Sequence, residues 1–457
     1  MSIAQLKAAT IKGVQSSDKV LLLFCCYCFF ATLGGLMRIS YGVSTVGITS
    51  ILLACIVVLK LPVIFRTIKR QTVLQLWLIL VGYSVIITLI SRGSIVGSNY
   101  DYRELCSVVL YILFAGAVAS LKWRKAEVYL LAKFLAAGLI LTALLCFVDS
   151  IGITDLPRIN DSPVLHPNYD GFMPYGQFRH RSVGSLYFTI FYAFLFVISD
   201  GKKIGTVWRS VILLSGGYFF WLLLASRNRA GPGALILSLC LYYIFNFRRE
   251  RKSLFKRVPD FFLVIIVAVA FLGITDSATL KNNAYRWLET PGISHLANSI
   301  YNYSINFKNP ELRYEAGIPE LQSEVSSRVY EGGMVRVRLV EDAITRLSNA
   351  PFGSGLRFDP HSWFIVDLIY SAGIFGVFWL VIVAVKVFGI ILKLLSKSSA
   401  RNAVWAVVSG LTGWLLVGIT YNSLNMGIAW GLLGVFLSMR SEYLHGAVAE
   451  SATSRKD

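Results

Sequence analysis

The chain has 457 residues, 55% of them hydrophobic and only 15% charged, with 44 Lys and Arg against 25 Asp and Glu. That composition excludes a single water-soluble core, which would need far more polar surface. The formal charge of +19 sits mostly between apolar runs, so it is a topology signal, and no nucleic-acid partner is expected.

A hydrocarbon layer of about 30 Å takes roughly 20 apolar residues per helical crossing. The polar, basic stretch 1–19 leads into an apolar run at 20–37 with no small-x-small cleavage site after it, so this run reads as a permanent first span. Further runs follow at 43–59, 73–90, 105–121, 128–148, 183–199, 211–225, 233–246 and 261–274. After a long polar excursion come 363–392, 403–420 and 427–439. Barrel-like alternation is absent, so the spans are expected to be helices. The predicted fold is all-α: a polytopic membrane protein of about 12 transmembrane helices with one large extracytoplasmic loop subdomain. Residues 1–274 hold about nine helices and an outer loop at 149–182, 275–361 form the outer helical loop, and 362–457 hold about three helices and a tail.

Lys and Arg orient the spans, because cytoplasmic loops retain positive charge. Lys60, Arg66, Lys69 and Arg70, then Lys122, Arg124 and Lys125, then Lys202, Lys203 and Arg209 all fall on one side. The run Arg248-Arg249-Glu250-Arg251-Lys252, with Lys256 and Arg257, is the strongest signal, and Lys393, Lys397 and Arg401 agree with it. Both termini are therefore expected inside and the long loop outside. Basic inner loops also attract anionic headgroups, which makes membrane lipid an expected partner.

The outward basic residues are unusual in type: fifteen are Arg, against only Lys281 and Lys308. Guanidinium is planar, always charged, and grips phosphate oxygens with two parallel hydrogen bonds. Ordinary ion pairing with outer carboxylates is the plainer explanation for scattered arginines. Two clusters argue for more. Arg179-His180-Arg181 closes the loop 149–182, and Ser226-Arg227-Asn228-Arg229-Ala230-Gly231 forms a tight outward turn before a helix start. A hairpin cap would also explain that turn, yet paired arginines beside hydrocarbon are costly without a partner.

The seven cysteines lie in or beside spans, so no disulfide is expected in the outer loops. No Cys/His set has metal-ligand spacing, and no Asp-x-Asp appears. Neither a metal nor a cofactor is expected.

Within the long loop, 326–349 is the best helix, with Arg336 near its start and Val337, Val340, Ile344 and Leu347 at helical spacing. It ends before Pro351-Phe352-Gly353-Ser354-Gly355, whose glycines allow a sharp turn that brings Arg357 and His361 to the membrane surface. An unperturbed imidazole, with a pKa of about 6.5, accepts a proton near neutral pH, so His361 is the candidate general base, although a lone His often serves only as a hydrogen-bonding residue. Asp367, six residues on, either supports the site or pairs with Lys386 or a backbone donor.

Three features carry a family resemblance. One is the Ser226-Arg227 turn that opens a span. Another is Arg336-Val337-Arg338-Leu339-Val340 with Ala343-Ile344, then Pro351-Phe352-Gly353-x-Gly355. The last is His361 with Gly373-Ile374-Phe375-Gly376 downstream. In this order the chain resembles the O-antigen ligase and O-antigen polymerase superfamily of bacterial envelope proteins, over about residues 175–380. Val340 stands where many members have Trp, Ser362 where Asn is common, and Arg227 and Arg229 could each align with the family arginine.

The resemblance implies a metal-independent glycosyltransferase in the bacterial inner membrane, its site facing the periplasm and both termini cytoplasmic. The implied donor is a glycan on undecaprenyl diphosphate. The acceptor is lipid A–core for a ligase, which is the favoured form, or a growing glycan for a repeat-unit polymerase. His361 would take the acceptor proton, and Arg179, Arg181, Arg227, Arg229, Arg336 and Arg357 would hold the diphosphate. A polysaccharide or lipid transporter or flippase is the remaining alternative. It fits less well, because the spans contain few charges beyond Lys133, Asp367 and Lys386.

Overall fold

Two long apolar helices joined by a single residue set the frame. Helices α2 (Ile48–Arg70) and α3 (Thr72–Arg92) meet at Gln71, whose extended backbone ends the first and starts the second. Lys69 and Arg70 occupy the last turn of α2, where cations complement the helix dipole. Gln71 is buried and donates its side-chain N–H to Leu437 O at 3.4 Å, which ties this joint to the far end of the chain.

The computed structural model describes residues 16–33, 38–41, 44–92, 99–150, 344–345, 347–355, 364–397, 401–418 and 427–453. It also describes short helical stretches between 189 and 270. Besides α2 and α3, the helices with defined bounds are α1 (Ser16–Thr32), α4 (Asn99–Ala119), α5 (Lys125–Ser150), α6 (Phe364–Lys397), α7 (Arg401–Gly418) and α8 (Gly427–Thr453). The described part is helical except for one antiparallel hairpin, β1 (Arg38–Tyr41) paired with β2 (Ser44–Gly47). The hairpin falls where the second span was expected to begin. Its Ile39, Tyr41, Thr45 and Val46 are β-branched or aromatic types that favour strands.

Among the described residues, three helices are long and apolar enough to cross a membrane: Ile48–Arg70, Thr72–Ser91 and Val366–Leu395. Shorter apolar helical runs lie at Lys19–Thr32, Leu105–Ala119 and Gly427–Arg440. The three long helices turn large apolar side chains outward, with Val58 69%, Ile90 75% and Phe378 64% exposed. Such a surface suits hydrocarbon and would be a liability in water. The expected spans between 183 and 274 lie largely outside the described residues, as does most of the loop 275–361.

Some helix ends differ from the hydropathy reading. Helix α2 continues past residue 59 through Lys60, Arg66, Lys69 and Arg70, because Lys and Arg are good helix formers even where they end an apolar run. Helix α8 likewise runs on past 439 to Thr453. Helix α1 stops at Thr32, ahead of Gly34-Gly35, rather than at 37.

The core lies where α8 packs along α4 and also touches α6 and α7, while α1 packs on α2 and α5. Small residues permit this closeness: a Cβ at Gly431 would strike the Phe24 ring, and one at Gly434 would strike Ala115 O. Phe24 packs against Phe114 and Trp123 with ring centroids 5.8 and 5.5 Å apart. Trp77 of α3 joins α6 to α8, its ring 4.4 Å from Trp379 and 4.8 Å from Trp430. Trp379 Nε1 donates to Leu76 O at 2.6 Å, and Tyr83 stacks on Phe375 at 4.2 Å. Later residues of α3 thus meet earlier residues of α6, so the two helices run antiparallel.

Candidate functional site

The described part of the expected site is the turn 351–355, and it does more than reverse the chain. The helix expected over 326–349 is described at 344–345 and 347–349, and the chain leaves helical geometry at Ala350. Gly353 N–H donates to Ala350 O at 2.9 Å and closes the turn. Gly353 and Gly355 both have φ of 89°, a region that residues with a Cβ rarely occupy. The sharp turn expected from these glycines is therefore present.

The turn seats in a break of α6. Gly373 has φ 56° and ψ −139°, a non-helical conformation that interrupts the helix. In an unbroken helix, Ile374 N–H would donate to Tyr370 O. Here Ile374 N–H donates instead to Pro351 O at 2.8 Å. Tyr370 O accepts from Ser354, by its N–H at 2.8 Å and its hydroxyl at 3.1 Å. Two of the helix groups freed by the break, Tyr370 O and Ile374 N–H, are thus satisfied by the turn. In an apolar surround this matters, since each unpaired backbone group costs several kcal/mol, of the order of ~2–7 kcal/mol.

Space requires glycine here as much as geometry does. A Cβ on Gly373 would collide with Pro351 O, and one on Gly353 would lie 2.5 Å from Ser371 O. On the other side of the turn, Gly355 abuts Thr88 of α3, where a Cβ would come within 2.6 Å of Thr88 Cα. Helix α3 also donates two hydrogen bonds to the turn. Tyr83 Oη–H reaches Phe352 O at 2.9 Å, and Ser91 Oγ–H reaches Ser354 O at 3.2 Å.

Asp367 is buried, 2% exposed, one to two turns before the break, and its carbonyl accepts the Ser371 hydroxyl at 2.5 Å. It does not pair with Lys386. That lysine is exposed and lies thirteen residues beyond the break, roughly 20 Å along the helix. The residues expected to carry the chemistry, His361, Arg179, Arg181, Arg227, Arg229, Arg336 and Arg357, lie outside the described residues. Among the described residues, no three His, Cys, Asp or Glu side chains are grouped as a metal site would need.

The sequence reading missed the part played by α3. A signal was available: Ser84, Thr88 and Ser91 recur at i, i+4 and i+7 in an otherwise apolar span, which places them on one helical face. Tyr83 stands beside that stripe.

No protein-family profile matches the chain, and no curated protein matches it. The resemblance to the O-antigen ligase and polymerase superfamily therefore rests on the residues quoted above.

Proposed function

We propose that the protein is a metal-independent glycosyltransferase that moves a glycan from undecaprenyl diphosphate to an acceptor hydroxyl at the outer face of the bacterial inner membrane. The observation that carries this reading is the placement of His361 in the sequence, between an arginine-rich outward loop and the span that follows. The described structure supports it from below. The chain leaving the loop is fastened at 351–355 to α3 and α6, and eight residues, 356–363, join that turn to Phe364. His361 stands three residues before Phe364 in the sequence.

The chemistry follows from the residue types. Diphosphate is a good leaving group, so transfer chiefly needs charge stabilisation and a positioned acceptor. Arg179, Arg181, Arg227, Arg229, Arg336 and Arg357 would neutralise the diphosphate as the glycosidic bond breaks. His361 would accept the acceptor hydroxyl's proton as the new bond forms. A ligase acting on lipid A–core is the favoured form, because one outer loop dominates. The size of the second outer loop, 149–182, favours a repeat-unit polymerase as the second reading. The surface glycan of a deletion strain separates them. Unattached polymer signifies a ligase, single attached repeat units signify a polymerase, and an unaltered glycan overturns both.

A further inference from the structure

We propose that Tyr83 is a positioning residue for this transfer, holding the exit of the outer loop against the broken helix α6. The inference rests on the glycosyltransferase reading above. Its geometry rests on α3, α6 and the turn 351–355 between them.

Tyr83 touches both sides of the junction. Its hydroxyl donates to Phe352 O at 2.9 Å, within the turn, and its ring stacks on Phe375 at 4.2 Å and 27°, just beyond the break at Gly373. The Phe352 side chain is 69% exposed, so packing of that ring does not hold the turn on this side. Its carbonyl does. A ring that only filled space beside Phe375 would need no hydroxyl. Two helical turns further along α3, roughly 12 Å, Ser91 donates to Ser354 O at 3.2 Å. Thr88 lies between them, against Gly355. Ser354 is also the residue that satisfies Tyr370 O. A shift of the turn on α3 would therefore disturb the backbone pairing of α6 as well.

The consequence is directional. Only five residues, 356–360, stand between Gly355 and the proposed base, His361, so little chain is available to absorb an error in the turn. Misplacement of a reacting group by about 1 Å can cost roughly 100-fold in rate. Donor affinity rests chiefly on Arg179, Arg181, Arg227 and Arg229, far from the turn in sequence, with Arg336 and Arg357 only part of the set, so it depends on the turn much less.

The test uses the full-length protein in nanodiscs. The donor is the lipid-linked glycan pool in membranes of a deletion strain, and undecaprenyl diphosphate is the binding probe. Tyr83→Phe keeps the ring stack and removes only the hydroxyl. Turnover per probe-binding site should fall about 10-fold with KM for the donor changing far less, and adding Ser91→Ala should lower turnover further. In a background without native cysteines, Ser91→Cys with Phe352→Cys, the exposed position of the same turn, should give a linked peptide with a short bifunctional maleimide. If no linked peptide forms, the geometry is wrong and the proposal falls regardless of activity. If Tyr83→Phe reduces only the number of binding sites, leaving turnover per site unchanged, Tyr83 is merely structural. If His361→Ala turns over normally, the transfer reading itself fails, and the role of Tyr83 falls with it.

Discussion

Ser354 donates both its backbone N–H and its hydroxyl to Tyr370 O, at 2.8 and 3.1 Å, taking the place that Ile374 N–H would fill in an intact helix. Pro351 O completes the exchange by accepting Ile374 N–H. A five-residue turn is thus spliced into the hydrogen-bond ladder of an apolar helix. Broken helices persist in membranes only where something else satisfies the freed groups, and this turn supplies that need. It also means that the turn 351–355 and α6 are one structural unit.

The splice makes Gly373 intolerant of any side chain. Gly373→Ala forces a Cβ toward Pro351 O and holds it at φ 56°, a strain worth about 1–3 kcal/mol before the collision is counted. The thermal midpoint of the purified protein should drop by several degrees. Gly389→Ala is the control on the same helix, since a Cβ there meets nothing within 4 Å. Equal midpoints for the two variants would contradict the splice.

The proposed orientation puts the loop 275–361 and the basic clusters at 60–70 and 248–257 on opposite sides of the membrane. In a background without native cysteines, Ser294→Cys and Phe352→Cys should react with an impermeant maleimide in intact spheroplasts. Phe352 is preferable to Ser354 as a probe, because its side chain is 69% exposed whereas the Ser354 hydroxyl is engaged. Lys256→Cys should react only after lysis. The reverse pattern would overturn the orientation.

Bidentate diphosphate recognition predicts that charge alone does not suffice. Arg227→Lys, Arg229→Lys and Arg181→Lys keep the charge and lose the two-pronged geometry, so transfer should fall sharply at normal protein levels. Wild-type activity in all three would discard this role for the arginines. Transfer should also continue in excess EDTA, and a loss restored by added metal would overturn the metal-free mechanism.

The proposed base gives the sharpest kinetic outcome. His361→Ala should slow transfer by roughly 10²–10⁴-fold while undecaprenyl diphosphate still binds. A base works only when its imidazole is neutral, so the wild-type rate should rise with pH through a group titrating at about 6–7. The variant's residual rate should lack that rise. Joint loss of binding and turnover would instead assign His361 to structure or to the diphosphate.

The sequence alone determined where the apolar runs lie, that those among the described residues are helical, and that glycines at 353 and 355 turn the chain sharply after a helix ending near 349. These follow from hydropathy and backbone preference, which act on neighbours along the chain. The candidate chemistry is likewise a reading of residue type and position, from the outward arginines to His361. Only the tertiary structure decided what the turn is for. Ile374 exchanges its helical partner for Pro351, and Tyr83 reaches Phe352 across 269 residues of chain. Helix ends moved for a related reason: hydropathy marks where lipid contact stops, while α2 keeps its backbone bonds through Lys60 and Arg66 until Gln71 breaks them. A hydrogen bond between distant segments has no periodicity to betray it. It forms because an apolar surround leaves the freed carbonyl of Tyr370 and the amide of Ile374 no other partner as good as the turn beside them.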